Sequence, residues 1–190
     1  GDMLNLEELT SACDDARYVY HFAGIADIAE ARASPYRAVK ANIMGVTTAL
    51  EVARSVMADR FVFASTMYVY SVAGSIYRAS KQAAEIIIEA YGDSFGLNYT
   101  LLRYGSLYGP RAQDWNGLRG YVRQIIEEGR LSYSGTGAER REYIHVCDAA
   151  RLSVDVLGDQ HSNQAITVTG TQVLNSRDLV DMIFEIVGKK

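Results

Sequence analysis

Apolar and polar positions alternate in two rhythms over the first 110 residues. Tyr18-Val19-Tyr20-His21-Phe22 is a short β-rich run that stops at Ala23-Gly24. Phe61-Val62-Phe63-Ala64 is a second, stopping at Ser65-Thr66, and Tyr99-Thr100-Leu101-Leu102-Arg103-Tyr104 a third, stopping at Gly105. Between the first two, Ser34 as N-cap and Pro35 at the first helical position open a helix over 35–57. Its apolar stripe is Val39, Ile43, Val46, Leu50, Ala53 and Met57, with Lys40, Thr47, Glu51 and Arg54 on another face. A second helix is predicted over 77–91, burying Ala84, Ile87, Ile88 and Tyr91. The order β-α-β-α-β with right-handed crossovers predicts a parallel sheet covered by helices, an α/β fold. Past residue 110 the units shorten. Helices are predicted over 118–128, 147–157 and 177–187, and strands over 131–134, 141–146 and 166–169, with no internal repeat.

Composition narrows the function classes. The 190 residues are 48% apolar and 22% charged, with a net charge of −4, as in an ordinary globular domain. The mildly acidic balance offers no basic stripe for a phosphate backbone, so nucleic acid is not an expected partner. Nor is a membrane, because the apolar runs fall well short of the roughly 20 residues that span a bilayer, and no secretory signal opens the sequence. Cys13 and Cys147 are distant in sequence and read as reduced thiols of a cytoplasmic protein. His21, His145 and His161 are too scattered for a metal site, and His21 and His145 sit in apolar runs as satisfied structural histidines.

Ligands of open α/β sheets collect at the carboxyl ends of the strands, so Ala23-Gly24, Ser65-Thr66 and Gly105-Ser106 should share one crevice. Tyr77 and Lys81 have a Y-x-x-x-K spacing, which places both side chains on one face of the second helix. A phenol with a pKa near 10 needs roughly 4 kcal/mol of help to act as a base near pH 7. An ammonium about 4 Å away contributes about 1 kcal/mol in water and about 4 at an effective dielectric near 20, so the pair works only if partly buried. With 13 tyrosines and 4 lysines in the chain, roughly 0.3 such pairs arise by chance. Ser65-Thr66, at the tip of the preceding strand, adds a hydroxyl that could hold a substrate oxygen against the phenol.

These segments resemble the extended short-chain dehydrogenases, in particular the NAD-dependent nucleotide-sugar epimerases and dehydratases. Tyr20-His21-Phe22-Ala23-Gly24 is similar to the family's H-L-A-A/G strand end, and Asn42-Ile43-Met44-Gly45 to its N-x-x-G segment. Phe63-Ala64-Ser65-Thr66-Met67-Tyr68-Val69-Tyr70 resembles S-S/T-x-x-V-Y-G, Tyr77 and Lys81 match its Y-x-x-x-K, and Leu102 to Arg111 resembles L-R-Y-F-N-V-Y-G-P-R. Arg141-Glu142-Tyr143-Ile144-His145-Val146 resembles R-D-Y/F-I-H-V. The resemblance implies a partial Rossmann-like, doubly wound parallel sheet. Residues 1–110 would be an incomplete dinucleotide-binding portion and 111–190 a small mixed α/β substrate-binding portion, packed as one unit. It implies Thr66, Tyr77 and Lys81 as catalytic residues, with NAD or NADP held by Asp2, Met3, Phe22, Ala23, Gly24, Asn42, Ala64, Ser65, Tyr77, Lys81 and Tyr104. A nucleotide-sugar substrate would meet Thr66, Ser106, Arg111 and Arg141, the last gripping its diphosphate.

The sequence also departs from that family. Its opening strand and G-x-x-G-x-x-G turn, whose helix N-terminus binds the pyrophosphate, do not occur here, and Gly1-Asp2-Met3 resembles the G-D segment after the third family strand. Residues 18–22 are therefore expected at a sheet edge that should pair with something. A homodimer is expected through that edge or, by resemblance, through helices 35–57 and 77–91. The segment from Val69 to Tyr77 is short, Ser106 stands where an asparagine is frequent, and Gly135-Thr136-Gly137 reads as a hairpin turn. The expected activity is epimerisation or dehydration through a transient keto sugar. The alternative is a non-catalytic binding or interaction module. A hydrolase is excluded by the want of a G-x-S-x-G elbow.

Overall fold

A computed structural model describes residues 1–188. Two compact units emerge: Gly1–Tyr104 with Ser153–Thr167, and Gly105–Leu152 with the chain from Val168 onward. The first opens with α1 (Leu6–Ala12), capped by Asn5, whose carboxamide oxygen accepts from the Glu7 and Glu8 amides. β1 (Tyr18–His21) follows, then α2 (Ile28–Ala33), capped in the same way by Asp27. Next come α3 (Pro35–Val39), a π-helical turn over Lys40–Met44, and α4 (Gly45–Ser55) as one nearly continuous rod. β2 (Arg60–Thr66), α5 (Ser75–Phe95) and β3 (Tyr99–Tyr104) complete the run.

β2 pairs in parallel with β1 on one side and β3 on the other. In this four-stranded sheet, ordered β1-β2-β3-β6, β1 is an edge, and β6 (Gln164–Val168) closes the far side. Phe61 and Phe63 of β2 lie in one core with Val46, Leu50 and Ala53 of α4, and Ala84 and Ile88 of α5. Aromatic residues two apart on a strand point to the same face, which α4 and α5 cover.

The helix at 35–57 differs from its expected stripe in an informative way. Val46, Leu50 and Ala53 are buried, but Val39 is 42% and Met57 86% exposed. The π turn inserts an extra residue into the helical repeat, so that Ala38 upstream of it and Asn42 within it face inward instead. Met57 lies past the end of α4 with a left-handed backbone. Ser34 makes no side-chain capping bond, because it also ends α2, its amide donating to Glu30 O at 2.9 Å.

The second unit comprises β4 (Ser106–Tyr108), α6 (Gly117–Glu128), β5 (Arg140–His145), β7 (Val173–Asn175) and α8 (Ser176–Val187), while α7 (Val146–Asp155) runs on into the first unit's segment. β5 lies between β4, parallel, and β7, antiparallel. Ile125 of α6 with Leu179 and Ile183 of α8 forms the buried centre. The expected strand at 131–134 does not form: Leu131 packs on that centre, and the Tyr133 hydroxyl donates to the Glu139 carboxylate at 2.7 Å. The Thr136 and Gly137 amides reach the same carboxylate, at 2.7 and 2.9 Å, so this segment is a carboxylate-closed turn rather than a hairpin.

Candidate active site

At the carboxyl end of β2, three successive residues meet one stripe of α5. Tyr77, Lys81 and Glu85 follow one another at intervals of four and are all buried, at 8%, 6% and 6% exposure. The Lys81 ammonium donates to the Ala64 carbonyl at 2.8 Å and sits over the Phe63 ring, 4.6 Å from its centroid. Ser65 Oγ donates a short hydrogen bond to the Glu85 carboxylate. Thr66, itself buried, is within side-chain hydrogen-bonding reach of the Tyr77 hydroxyl and takes the Tyr68 amide at 3.2 Å. Its extended backbone caps the 3-10 turn Met67–Tyr70 that leads towards α5.

Burial governs the proton affinities. It raises the Tyr77 phenol above its ordinary value, the Thr66 bond pulling it down and nearby Tyr68 pushing it up. It lowers the Lys81 ammonium to about 8, with the Glu85 charge opposing. The expected depression of Tyr77 by Lys81 is not found: desolvation dominates at the phenol, the opposing pull comes from Thr66, and the ammonium is directed at the Ala64 carbonyl. His21, the last residue of β1, is buried and lowered to about 4 by desolvation first and by Lys81 second. Its Nε2 has no hydrogen-bond partner among the described residues, so it is not the satisfied core histidine the apolar run suggested.

Around this cluster, Asn42 fixes the loop after β1. Its oxygen accepts from the Ile25 amide at 2.8 Å, and its nitrogen donates to Ile25 O and to Ser80 Oγ, each at 3.0 Å. Gly24 (φ +142°) lies so close that an added Cβ would stand 2.7 Å from the Asn42 oxygen. Ala23 is exposed, and Phe22, 56% exposed, stacks on Tyr20 with ring centroids 5.8 Å apart. Tyr104 at the end of β3 is buried, its hydroxyl 2.5 Å from Ser153 Oγ. Asp2 and Met3 are engaged locally: Asp2 Oδ1 accepts from the Leu4 amide at 3.0 Å, and Met3 packs against Gly45 of α4.

Two residues of this region had no role in the sequence reading. Arg103 of β3 grips Glu85 with two prongs, Nε to Oε1 at 3.0 Å and Nη2 to Oε2 at 2.6 Å, and its remaining Nη1 donates to the Tyr70 hydroxyl at 2.5 Å. The signal for Glu85 was present: an acidic side chain four and eight places beyond Lys81 and Tyr77, on the helix face that must be buried.

In the second unit, Ser106 begins β4 opposite Tyr143, and the exposed Arg141 of β5 is in register with Leu174. Arg111 adopts a left-handed backbone (φ 64°) and lines a groove of about 640 Å³ with Tyr108, Asn116, Leu118, Arg119 and Arg123 among others. Ser106 and Arg141 do not line it. Arg119 there is paired with Asp114 at 3.0 Å.

Comparison with known proteins bears on this arrangement. The chain is 25% identical to the uncharacterized UDP-glucose epimerase YtcB of Bacillus subtilis, over 96% of its own length and 62% of the relative's. It is 26% identical to a dTDP-glucose 4,6-dehydratase of Streptomyces antibioticus, over 99% and 60%. The solved UDP-glucuronic acid 4-epimerase of Bacillus cereus, in complex with UDP-glucuronic acid and NAD, superposes with a TM-score of 0.90 at 26% identity, over 100% of this chain and 65% of that one. The chain therefore spans between about half and two thirds of the length of the proteins it matches. The sequence model for the NAD dependent epimerase/dehydratase family matches residues 1–169. With that match over most of its length, and a Rossmann-like parallel sheet ending in the Thr66, Tyr77 and Lys81 cluster, the chain belongs to the NAD dependent epimerase/dehydratase family.

Proposed function

We propose that this chain is part of an NAD(P)-dependent enzyme that epimerises or dehydrates a nucleotide sugar through a transient keto intermediate. The observation that carries this reading is the meeting of the Thr66 hydroxyl, the Tyr77 phenol and the Lys81 ammonium at one buried strand end. The residues present fit the nicotinamide end of the cofactor. Lys81 spends one N–H on Ala64 and has no other hydrogen-bond partner among the described residues, which suits a ribose diol. The small residues Ala23 and Gly24, with Ala64 and Ser65, would let a flat ring lie close to the backbone, near Phe22 and Tyr104, whose ring centroids are 6.3 Å apart. Bound there, the cofactor would supply a two-electron acceptor for the sugar carbinol. Thr66 would orient the sugar hydroxyl, and Tyr77 would take its proton and later return it. Arg111 and Arg141, with Ser106, would meet the nucleotide diphosphate side. Asp2, Met3 and Asn42, by contrast, would act on the cofactor through the loops they brace.

A cytoplasmic setting agrees with the free thiols of Cys13 and Cys147, and among the described residues no helix is long and apolar enough to cross a membrane. A homodimer is part of the reading, through the helices 35–57 and 77–91, where Tyr36, Met44 and Ile86 are exposed, or through the β1 edge. One observation favours the second reading, a non-catalytic module: burial holds Tyr77 protonated. Titration with NADH decides between them. We expect the enzyme of which this chain is part to bind NADH in the micromolar range and to turn over a UDP- or dTDP-hexose. The Tyr77→Phe variant should lose 10²- to 10⁴-fold in kcat while binding NADH within about threefold. No binding up to millimolar NADH by the enzyme of which this chain is part overturns the enzyme reading and leaves the interaction module.

A further inference from the structure

We propose that Glu85 and Arg103 are positioning residues: the Glu85 carboxylate, gripped by Arg103, ties the end of β2 to the α5 stripe so that Thr66, Tyr77 and Lys81 are held in register. The proposal rests on the reading of those three as the reacting cluster. Its basis is a pair of cross-links, with one close approach beside them, between consecutive strand residues and consecutive turns of one helix. Ala64 O receives Lys81, Ser65 Oγ donates to Glu85, and Thr66 meets Tyr77. Only the middle link joins side chain to side chain with a full charge, and it is the one anchored to a third element, β3, through Arg103.

Holding a helix on a sheet does not by itself require an ion pair. A buried carboxylate and guanidinium lose much of their mutual attraction to desolvation, and an apolar pair of equal volume frequently serves stability as well or better. The side chains of this pair are only 8% and 17% exposed, so the desolvation is real. What an apolar pair cannot do is fix direction. The two-pronged contact sets the plane of the carboxylate, which leaves Oε1 shared between Arg103 and Ser65 and fixes the Ser65 rotamer one residue from Thr66. Arg103 is in turn oriented by the Tyr70 hydroxyl, and its guanidinium lies over the Tyr70 ring, 4.8 Å from its centroid. The chain leading from Thr66 towards α5 is therefore tied down at Tyr70 by the same arginine.

The charge has a second consequence. Lys81 faces His21 from β1, the Phe63 ring from β2, and Tyr77 and Glu85 from its own helix, with Arg103 of β3 behind Glu85. Of these, Glu85 is the group whose negative charge favours the ammonium against its burial. A structural brace has no need of that coupling.

The test uses Glu85→Gln, which keeps the shape and can still accept from Ser65, and Arg103→Lys, which keeps the charge but loses the two-pronged grip. The chain holds four lysines, Lys40, Lys81, Lys189 and Lys190. In ¹³C-lysine-labelled protein the Cε resonance of Lys81 is thus assignable by its loss in Lys81→Met. We expect the Lys81 titration to move to lower pH in Glu85→Gln, with at least a threefold larger neutral fraction at pH 7. In the active enzyme, both variants should lose 10- to 100-fold in kcat with KM changed less than about threefold. A folded Glu85→Gln whose Lys81 titration is unmoved overturns the proposal, as do variants that lower Tm but leave kcat intact. Should Glu85→Gln fail to fold, Arg103→Lys carries the kcat and KM readout, and an unchanged kcat in that variant overturns the proposal. The NMR arm needs no turnover, so a shifted Lys81 in an enzyme that neither binds NADH nor turns over would sink the enzyme reading and leave the Glu85 coupling standing.

Discussion

His21 shows what one buried side chain contributes. An imidazole at 5% exposure with an unpartnered Nε2 cannot accept a proton without leaving a cation dehydrated beside Lys81. Its folded value is lowered from 6.5 to about 4, so between those pH values the unfolded chain binds a proton that the folded one refuses. Stability from this group is therefore complete above pH 6.5 and is lost on acidification through the window, by up to about 3 kcal/mol. Urea unfolding at pH 7 and pH 4.5 should show a smaller acid loss for His21→Gln than for the parent, and equal losses would refute the assignment. The sequence revealed a histidine in an apolar strand but not its missing partner, because satisfaction depends on atoms from other elements. The same limit applied to Glu85: its spacing on α5 was visible, whereas Arg103 reaches it from a strand 18 positions later.

Among the elements, those with a strong local rhythm were legible. β1, β2, β3 and the two long helices stand close to where apolar runs and small terminating residues placed them. α1 and α2 were missed although Asn5 and Asp27 are good cap residues, because each helix is short and its apolar face slight. The π turn was out of reach of any period of 3.6; it coincides with the three bonds that draw Asn42 towards Ile25 and Ser80. That brace makes Gly24 a sensitive position. Gly24→Ala meets both a forbidden backbone region and the Asn42 oxygen, and should cost roughly 2–4 kcal/mol. Gly96→Ala, at φ +69° with nothing within 4 Å, should cost only about 1. Denaturant midpoints of the two variants measure the difference, and equal costs would show that the Asn42 contact carries no energy.

For the whole molecule, the open side of β1 is the feature with the widest reach. Tyr18 and Phe22 are exposed along or just past it, and an unpaired strand edge invites a partner strand. If copies associate there, Tyr18→Lys should shift light-scattering mass towards monomer while Ile86→Glu leaves it alone. The reverse outcome assigns association to the long helices, and a monomer at every concentration removes both routes. The sequence was divided once, after residue 110, yet the backbone passes between the two compact units three times, at 104/105, 152/153 and 167/168. A break at a single position therefore cannot free one unit whole from the other. A polypeptide stopping at 110 would leave β3 without the strand that flanks it, and the shortest stretch containing every piece of the first unit ends at 167. Gene dissection, domain swaps and split reporters must respect that interleaving.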